Sequence, residues 1–315
     1  MVDWHNYGFT IMAVSRGRNF YHPLVQLYRQ YETFFGRITP DVSITVTNAM
    51  ARNLKGPLFN LKMPVITMHD RPAGIFQPIS SQDRRRKFLS SLSETKDHAD
   101  RIMKGVTRLL VSSTSWTPDE DLGMLLEALL WYGGSDAASY SSADHEAESK
   151  AKAKGHTPLL VVITGKGPQK KAFEEKVAAL QAEGHLPLVD IKTAFLPMED
   201  YASLLACADL GICLHESSSQ LDLPMKVLDM FGAGLPVAAF TGRRKYYSFG
   251  ELVKQDVNGW GFDSTEGLVR ILSSLSHEVG EEGLRRLREG ALAEGKKRWD
   301  DEWEGSVGRA LELNG

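Results

Sequence analysis

The sequence predicts an α/β fold in which parallel β-sheets are covered by helices on both faces. Short apolar runs alternate with segments of helical periodicity, and five or six such units follow one another in the second part of the chain. The runs are almost continuously apolar, which is typical of strands buried on both faces. Polar or glycine-rich loops follow several of them, at the sheet edge where α/β proteins bind ligands. The length of 315 residues suggests roughly two domains.

The composition argues against several classes of protein. A net charge of −3 does not favour a nucleic-acid partner, and we interpret the basic run at 84–87 as a solvated helix face. Cys207 and Cys213 lie in apolar surroundings without a CxxC spacing, so we expect buried thiols rather than a disulfide or a metal site. The chain has no HExxH, GxSxG or complete P-loop motif, and no apolar run long enough to span a bilayer.

The first part, residues 1–105, is predicted to be an incomplete Rossmann-like domain with the order β-α-β-α-β. Residues 23–35 have helical periodicity, and Gly36 is expected to end that helix. Strands are predicted at 42–46 and 64–68, with a helix at 47–54 between them. Because the chain opens on a strand end and a dense polar loop, we expect a truncated chain whose sheet has an unpaired edge.

The second part, residues 106–279, is predicted to be a more complete domain of the same kind. Strands are expected at 109–111, 159–163, 188–191, 208–214 and from 236, with helices at 118–131 and 199–206. Residues 134–156 lack apolar periodicity, so we expect a disordered, protease-sensitive insertion. Residues 280–315 are predicted to be helical, with Trp299 and Trp303 on one face, and to pack back toward the N-terminal domain.

The loop and helix at 215–236 form the candidate ligand site. A Ser-rich loop leads from a strand into a helix that is predicted to open at Pro224, where free N–H groups and the helix dipole favour an anion. Lys226 and Asp229 lie three residues apart on one face, as a phosphate-side cation and a ribose-binding carboxylate would. The alternative is a solvated Lys–Asp pair. The GKGP turn at 165–168 is either a phosphate nest or a plain tight turn.

Several separated motifs resemble one family of enzymes, the chitobiosyldiphosphodolichol β-mannosyltransferases, which have the two-domain GT-B fold. The resemblance covers nearly the whole chain apart from the insertion. The motifs are DWHNYG (3–8), YE (31–32), FGR (35–37), VTNAM (46–50), SSTSWTPDED (112–121), TGKGP (164–168), CLH (213–215) and LDLPMK (221–226).

The resemblance implies an inverting transfer of mannose from GDP-mannose to chitobiosyl diphospho-dolichol on the cytosolic face of the endoplasmic reticulum membrane. It implies no metal or other cofactor. Other mannosyltransferases of the same pathway are further partners that it suggests. It assigns the ribose to Asp229 and the diphosphate to Lys226, with further donor-binding residues at Gly165, Lys166, Gly167, His215, Asp222 and Arg71 and in the basic cluster 243–245.

The resemblance places Asp3 and His5 on the acceptor side as candidates for the catalytic base, and His215 is a third candidate. The alternative is that these two side chains only order their loop by hydrogen bonds. Where many GT-B donor domains carry an Arg and a Lys, this chain has Ser115 and Glu120, so we expect no cation there.

The membrane anchor and glycine-rich loop with which family members begin are not in the chain. We therefore expect it to bind GDP but to transfer little mannose alone. A non-catalytic paralogue acting as a binding or regulatory partner is the alternative function. An enzyme that uses another nucleotide sugar is a third interpretation, which the motifs disfavour.

Overall fold

The computed structural model describes residues 1–118, 120–134, 155–242, 248–276 and 278–310. The predicted insertion at 134–156 and the basic cluster at 243–245 therefore lie largely or wholly outside the described residues. The described chain forms two parallel sheets, of three and six strands, with helices packed on them. This confirms the predicted α/β fold. No helix in the described ranges is both long and apolar enough to cross a membrane.

The N-terminal unit has three parallel strands in the order β1-β2-β3. The elements in chain order are β1 (Val2–Trp4), α1 (Gly8–Val14), α2 (Pro23–Ile38), β2 (Ser43–Thr45), α3 (Asn48–Lys55) and β3 (Val65–Thr67). Its core is aromatic, because the rings of Trp4 and Tyr7 pack against Phe59 with centroids 5.3 and 4.8 Å apart. The strands and helices of the predicted β-α-β-α-β order are present, and α1 is an additional helix that the sequence analysis did not predict.

Helix α2 does not end at Gly36, as the sequence predicted, but continues to Ile38. The glycine is needed for packing instead. A Cβ at position 36 would lie 3.0 Å from the indole ring of Trp4, so any other residue would force α2 and the Trp4 ring apart by a few tenths of an ångström. A glycine at a close contact and a glycine at a helix end look alike in sequence.

The bridge between the two units contains two helices, the first of which carries the basic run that we interpreted as a helix face. These are α4 (Gln82–Ser91) and α5 (Ala99–Met103). The guanidinium of Arg85 donates hydrogen bonds of 2.7 and 3.1 Å to the carbonyl of Cys207, which is the last residue of a helix. A cation stabilises the negative end of a helix dipole. We had predicted that this basic run is a solvated helix face. The prediction is wrong for Arg85, which is half-buried against the second unit.

The second unit is a six-stranded parallel sheet in the order β6-β5-β4-β7-β8-β9. Its strands are β4 (Arg108–Ser113), β5 (Leu159–Thr164), β6 (Val189–Ala194), β7 (Leu210–Cys213), β8 (Val237–Phe240) and β9 (Gly259–Phe262). Alternate side chains of β4 enter different cores: Leu110 lies on one face, and Leu109 and Val111 lie on the other. Both faces are buried, which explains the continuous apolar runs.

Helices cover both faces of this sheet. They are α6 (Leu122–Tyr132), α7 (Lys170–Ala182), α8 (Met198–Cys207), α9 (Met225–Gly232), α10 (Phe249–Leu252) and α11 (Thr265–Ser274). Helix α6 begins at Leu122 and not at Pro118, because the Asp121 carboxylate caps it by accepting from the N–H of Met124 at 3.0 Å. Pro224 is the N-cap of α9 and not its first residue. Cys207 and Cys213 are buried free thiols, as predicted.

The C-terminal helices return to the N-terminal unit. Helix α12 (Glu278–Gly295) and helix α13 (Trp299–Trp303) are followed by a π-helix at Glu304–Gly308. The rings of Trp299 and Trp303 stack with centroids 5.1 Å apart, so the two residues share a face. Val307 is fully buried and packs with Ile44 and Met68 of the N-terminal sheet. The end of the described chain thereby ties the two units together.

Candidate functional site

The loops at the carboxyl ends of both sheets meet between the two units. The amide nitrogen of Asn6, in the loop after β1, donates to the Asp222 carboxylate at 3.2 Å. The hydroxyls of Thr10 and Ser218 lie 3.0 Å apart. Asn6 and Asp222 are 216 residues apart in the sequence. The DWHNYG loop and the Ser-rich loop are therefore in direct contact. The candidate catalytic residues stand beside the candidate donor loop.

His5 lies between two carboxylates. Its Nε2 is 3.0 Å from Oδ2 of Asp3, and its Nδ1 is 3.9 Å from Oδ2 of Asp70. Burial raises the pKa of Asp70, and the nearby His5 opposes that shift. An imidazole in this position can accept a proton, and the two carboxylates stabilise the imidazolium that results.

Asp70 was not among the residues predicted for the site. It follows β3, whose residues pair with β2 at Thr45↔Thr67, and β2 pairs in turn with β1. The carboxyl ends of parallel strands lie along one edge of a sheet, so His5 and Asp70 are brought together by strand order. The available signal was the polar HDRP loop directly after an apolar strand.

Asp229 lies half-buried on α9. Burial raises the pKa of its carboxyl group to about 7. Within the described ranges no side chain forms a hydrogen bond or ion pair with it. The Asp229 charge also acts on Tyr201, whose pKa is raised mainly by burial and further by Asp229. A desolvated carboxylate without a protein partner is typical of a group that a ligand satisfies.

Lys226 pairs with a residue that the sequence did not indicate. Its Nζ forms an ion pair with the buried carboxylate of Glu120, whose other oxygen accepts from the Thr114 hydroxyl at 2.5 Å and the Ser115 N–H at 2.8 Å. The alternative of a solvated pair between Lys226 and Asp229 is therefore wrong. The 115–120 loop has no basic residue of its own, and Lys226 supplies a cation beside it from α9.

The glycines of the GKGP turn have a packing role. A Cβ at Gly165 would lie 1.8 Å from the carbonyl oxygen of Thr114, and one at Gly167 would lie 2.0 Å from that of Ser115. Close contact between the two loops is enough to require both glycines. Between them, Lys166 places its Nζ 4.8 Å from the centre of the Phe195 ring. Binding of phosphate by this turn stays a prediction.

Arg71 is held by the C-terminal helices. Its guanidinium lies 2.9 Å from a carboxylate oxygen of Glu294 and 2.7 Å from one of Glu302, and its side chain is only 9% exposed. Two carboxylates thus already pair with the guanidinium that we had predicted to bind the donor. His215 is half-buried, with its Nε2 4.0 Å from Oδ2 of Asp222.

A cavity of about 1120 Å³ opens between the two units next to these loops. Thr10, Arg18 and Phe20 line it from the N-terminal unit, and Glu120, Gln169 and Ser218 are among the residues that line it from the second unit. Hydroxyl, amide and carboxylate groups with an aromatic wall suit a sugar. Among the described residues, His, Cys, Asp and Glu side chains form no group of three or more that could hold a metal ion.

No protein-family model matches the chain. Curated relatives do. The chain is 46% identical over 315 residues to a chitobiosyldiphosphodolichol β-mannosyltransferase of Arthroderma benhamiae, covering 99% of this chain and 65% of the relative. The human protein of the same name is 38% identical, covering 96% and 65%. The Arabidopsis thaliana UDP-glycosyltransferase TURAN is 39% identical, covering 96% and 69%. The chain thus spans about two thirds or less of the length of most of these relatives.

Solved structures of low sequence identity share the fold. The Anabaena protein HepE, crystallised with UDP and glucose, has a TM-score of 0.64 at 13% identity and covers 99% of this chain and 71% of its own. Sucrose-phosphate synthase of Thermosynechococcus elongatus has a TM-score of 0.60 at 12% identity, covering 99% and 67%. The two-domain GT-B architecture is therefore confirmed. The chain belongs to the glycosyltransferase family that includes TURAN and the chitobiosyldiphosphodolichol β-mannosyltransferases.

Proposed function

We propose that the chain transfers mannose from GDP-mannose to chitobiosyl diphospho-dolichol, with inversion at the anomeric carbon. Family membership supports the reaction class, and the names of the relatives support the acceptor. The observation that carries the proposal is the contact between the DWHNYG loop, which holds the carboxylate-flanked His5, and the loop that leads into α9 and Asp229. The loop of the proposed base and the loop before the donor-holding helix are thereby joined between the units.

In the proposed step, the acceptor hydroxyl oxygen attacks the anomeric carbon while the bond from that carbon to the diphosphate oxygen breaks. The hydroxyl proton passes to His5, and Asp3 and Asp70 stabilise the charge that forms there. The departing diphosphate carries the electron pair. We propose that Lys226 and the N–H groups at the start of α9 stabilise that negative charge.

On the donor side, Asp229 accepts hydrogen bonds from the ribose hydroxyls. Binding would lower the pKa of this carboxyl group, because hydrogen bonds to the charged form favour it. We propose that no divalent metal takes part, since helix dipole and Lys226 supply the positive charge. We place the reaction at the endoplasmic reticulum membrane on its cytosolic face, in line with a dolichol-linked acceptor. Other mannosyltransferases of the pathway are proposed as further partners.

The decisive experiment measures the low rate of mannose transfer that we expect of this chain, with a lipid-linked chitobiose in detergent and EDTA present. His5→Gln should lower the transfer rate by about 10²- to 10⁴-fold, the usual contribution of a general base, and leave GDP affinity unchanged. His22→Gln is the matched control, because His22 lies in the same unit and only caps α2. Equal rates for the two variants would exclude His5 as the base.

A second candidate donor follows from the name of TURAN, a UDP-glycosyltransferase. Parallel calorimetric titrations with GDP and UDP separate the two. We expect GDP to bind more tightly, and tighter binding of UDP would overturn the assignment of the donor while leaving the fold and the ribose site intact.

A further inference from the structure

A histidine at the contact between the two units, His69, has both ring nitrogens against carboxylates from different elements. Its Nε2 lies 3.1 Å from Oε2 of Glu251 on α10, and its Nδ1 lies 3.3 Å from Oε1 of Glu302 on α13. The backbone N–H of His69 also donates to Oε1 of Glu302 at 3.3 Å. All three side chains are largely buried. We name these three residues the His69 cluster.

A neutral imidazole cannot make both contacts. It has one N–H donor and one nitrogen lone pair, whereas an ionised carboxylate only accepts hydrogen bonds. If His69 were neutral, one of its ring nitrogens would therefore turn a lone pair toward a carboxylate oxygen at 3.1 or 3.3 Å. Only the imidazolium donates from both nitrogens, in two charge-assisted hydrogen bonds. The observed geometry is thus that of a doubly protonated ring.

On the C-terminal side, the carboxylate of Glu302 is shared between His69 and Arg71. Its Oε2 accepts hydrogen bonds from the Arg71 guanidinium at 3.0 and 2.7 Å, and its Oε1 faces His69. Arg71 also donates to Glu294 of α12 at 2.9 Å. A nearby cation favours the charged form of a carboxyl group. Glu302 therefore stays an acceptor when the imidazole loses its second proton.

On the other side, Glu251 holds the N-terminal end of α3. Its Oε2 accepts from the N–H of Asn48 at 2.7 Å, and its Oε1 accepts from the N–H of Ala49 at 2.8 Å. N–H groups in the first turn of a helix have no intrahelical acceptor, so their protection from solvent depends on this carboxylate. Arg52, further along α3, lies 3.9 Å from Oε1 and is 70% exposed. The His69 cluster thereby joins the N-terminal unit to α10 of the second unit.

The next residue in the sequence, Asp70, belongs to the candidate site. Its Oδ2 lies 3.9 Å from Nδ1 of His5. Burial, with a smaller contribution from Asp3, raises the pKa of Asp70, and the charges of His5, His69 and Arg71 oppose that shift. A change of charge on His69 therefore also acts on the carboxylate beside His5.

We propose that the His69 cluster is a pH-sensitive contact between the two units. The imidazolium holds both carboxylates, and loss of a proton breaks one of the two contacts, because the single N–H that remains serves only one acceptor. Imidazoles change charge between about pH 5 and pH 8, so the cluster is closed at the acid end of this range and open on one side at the alkaline end. The inference rests on the contacts of His69 and not on the proposed transferase activity.

The test is amide hydrogen exchange of the 315-residue chain, followed by NMR at about pH 5 and about pH 8.5. The N–H groups of Asn48 and Ala49 report on Glu251, and the N–H of His69 reports on Glu302. Protection factors correct for the pH dependence of exchange itself. At one of these two places the protection factor should fall about 10-fold at the higher pH, which corresponds to the loss of about one hydrogen bond.

Two variants at position 69 fix the charge. His69→Gln keeps an amide donor without a titratable proton, so it should show the lower protection at both pH values. His69→Arg keeps a permanent charge with several donors, so it should stay protected at both. His98→Gln is the matched control, because His98 is 23% exposed and pairs with Asp190 on β6, and it should behave like the unchanged chain. The N–H of Met50, which donates to the Thr47 hydroxyl at 3.0 Å, is the internal control and should not respond to pH.

A second readout requires no variant to fold. Nitrogen NMR of the unchanged chain, with the His69 ring assigned from its backbone, counts the protonated ring nitrogens directly. We expect two at about pH 5 and one at about pH 8.5. A single protonated nitrogen at the lower pH, protection that does not change with pH, or an equal pH response of His69→Gln and the unchanged chain would each overturn the proposal.

Discussion

Two charged groups at the edge between the units, Asp229 and Arg71, have opposite surroundings. The Asp229 carboxylate is half-buried on α9, has no hydrogen-bond or ion-pair partner within the described ranges, and has its pKa raised to about 7 by burial. The Arg71 guanidinium is more deeply buried but is paired with Glu294 and Glu302 at 2.9 and 2.7 Å. Both were predicted to bind the donor.

The difference separates a ligand-binding group from a structural one. A buried charge whose partners are in place contributes to stability and has little left to offer a ligand. A buried charge without partners lowers the free energy of unfolding. Such a destabilising group is retained where it must be available to bind a ligand. In α9, Asp229 has no side-chain partner among the described residues, whereas Lys226, three residues earlier, pairs with Glu120 but is 25% exposed and keeps N–H donors for a diphosphate. Three variants, followed by four measurements, test this contrast.

The largest effect is expected for Arg71→Ala. It leaves the carboxylates of Glu294 and Glu302 without their buried cation and should lower the free energy of unfolding by about 3–5 kcal/mol. The matched control is Arg86→Ala, whose partner Asp100 is 79% exposed, and it should cost less than about 1 kcal/mol. Urea denaturation measures both. Similar losses for the two variants would contradict a structural role for Arg71.

The second change concerns the stability cost of Asp229. Its folded pKa of about 7 lies above the unfolded value of 3.8, so the folded state holds a proton between these pH values that the unfolded state has lost. Stability contributed by this group is therefore lost as pH rises from about 4 to about 7. At pH 8, Asp229→Asn should raise the free energy of unfolding by about 2–4 kcal/mol, and at pH 4 the difference should vanish. A pH-independent difference would refute the assignment.

The third measurement is the GDP affinity of the same variant. Asp229→Asn removes charge-assisted hydrogen bonds to the ribose worth about 1.5–3 kcal/mol, so GDP should bind about 10- to 150-fold more weakly. Asp190→Asn is the control. Asp190 lies on the distant strand β6, where its carboxylate pairs with His98, so this variant should bind GDP with unchanged affinity. Isothermal titration calorimetry, with and without EDTA, gives both constants. Unchanged GDP affinity in a folded, stabilised Asp229→Asn would leave Asp229 without a ligand role.

The smallest effect is expected for Lys166→Met. The lysine is exposed and its contact is the face of Phe195, so loss of a cation–π interaction should lower the free energy of unfolding by about 0.5–1 kcal/mol. The Lys166 ammonium group keeps N–H donors for a ligand, whereas the Arg71 guanidinium is paired with two carboxylates. If Lys166 contacts the diphosphate, GDP affinity should fall by about 2- to 10-fold in the variant. Lys171→Met, on the exposed side of α7, is the control. Equal GDP affinities for the two variants would remove Lys166 from the donor site.

Much of the architecture was predictable from local patterns. The continuous apolar runs at β4, β5 and β7 predicted strands buried on both faces, and the two cores on either side of the second sheet confirm this. The spacing of Lys226 and Asp229 placed both on one face of a helix that does begin just after Pro224. The ends of elements were less predictable, because Gly36 serves a contact with Trp4 and Asp121 rather than Pro118 starts α6.

By itself, the sequence determined the alternation of strands and helices, their burial, the family, and which loops hold the polar groups, because each depends on neighbours within a few residues or on a motif. Only the tertiary structure decided which of those groups have partners. Lys226 meets Glu120 across 106 residues, Arg71 meets Glu302 across 231, and His5 meets Asp70 through the order of three strands. Pairing over such separations depends on how the sheets and the C-terminal helices pack, and no local pattern encodes it. Since a partner changes both the charge and the availability of a group, the roles of Lys226, Asp229 and Arg71 could be separated only after the chain had folded.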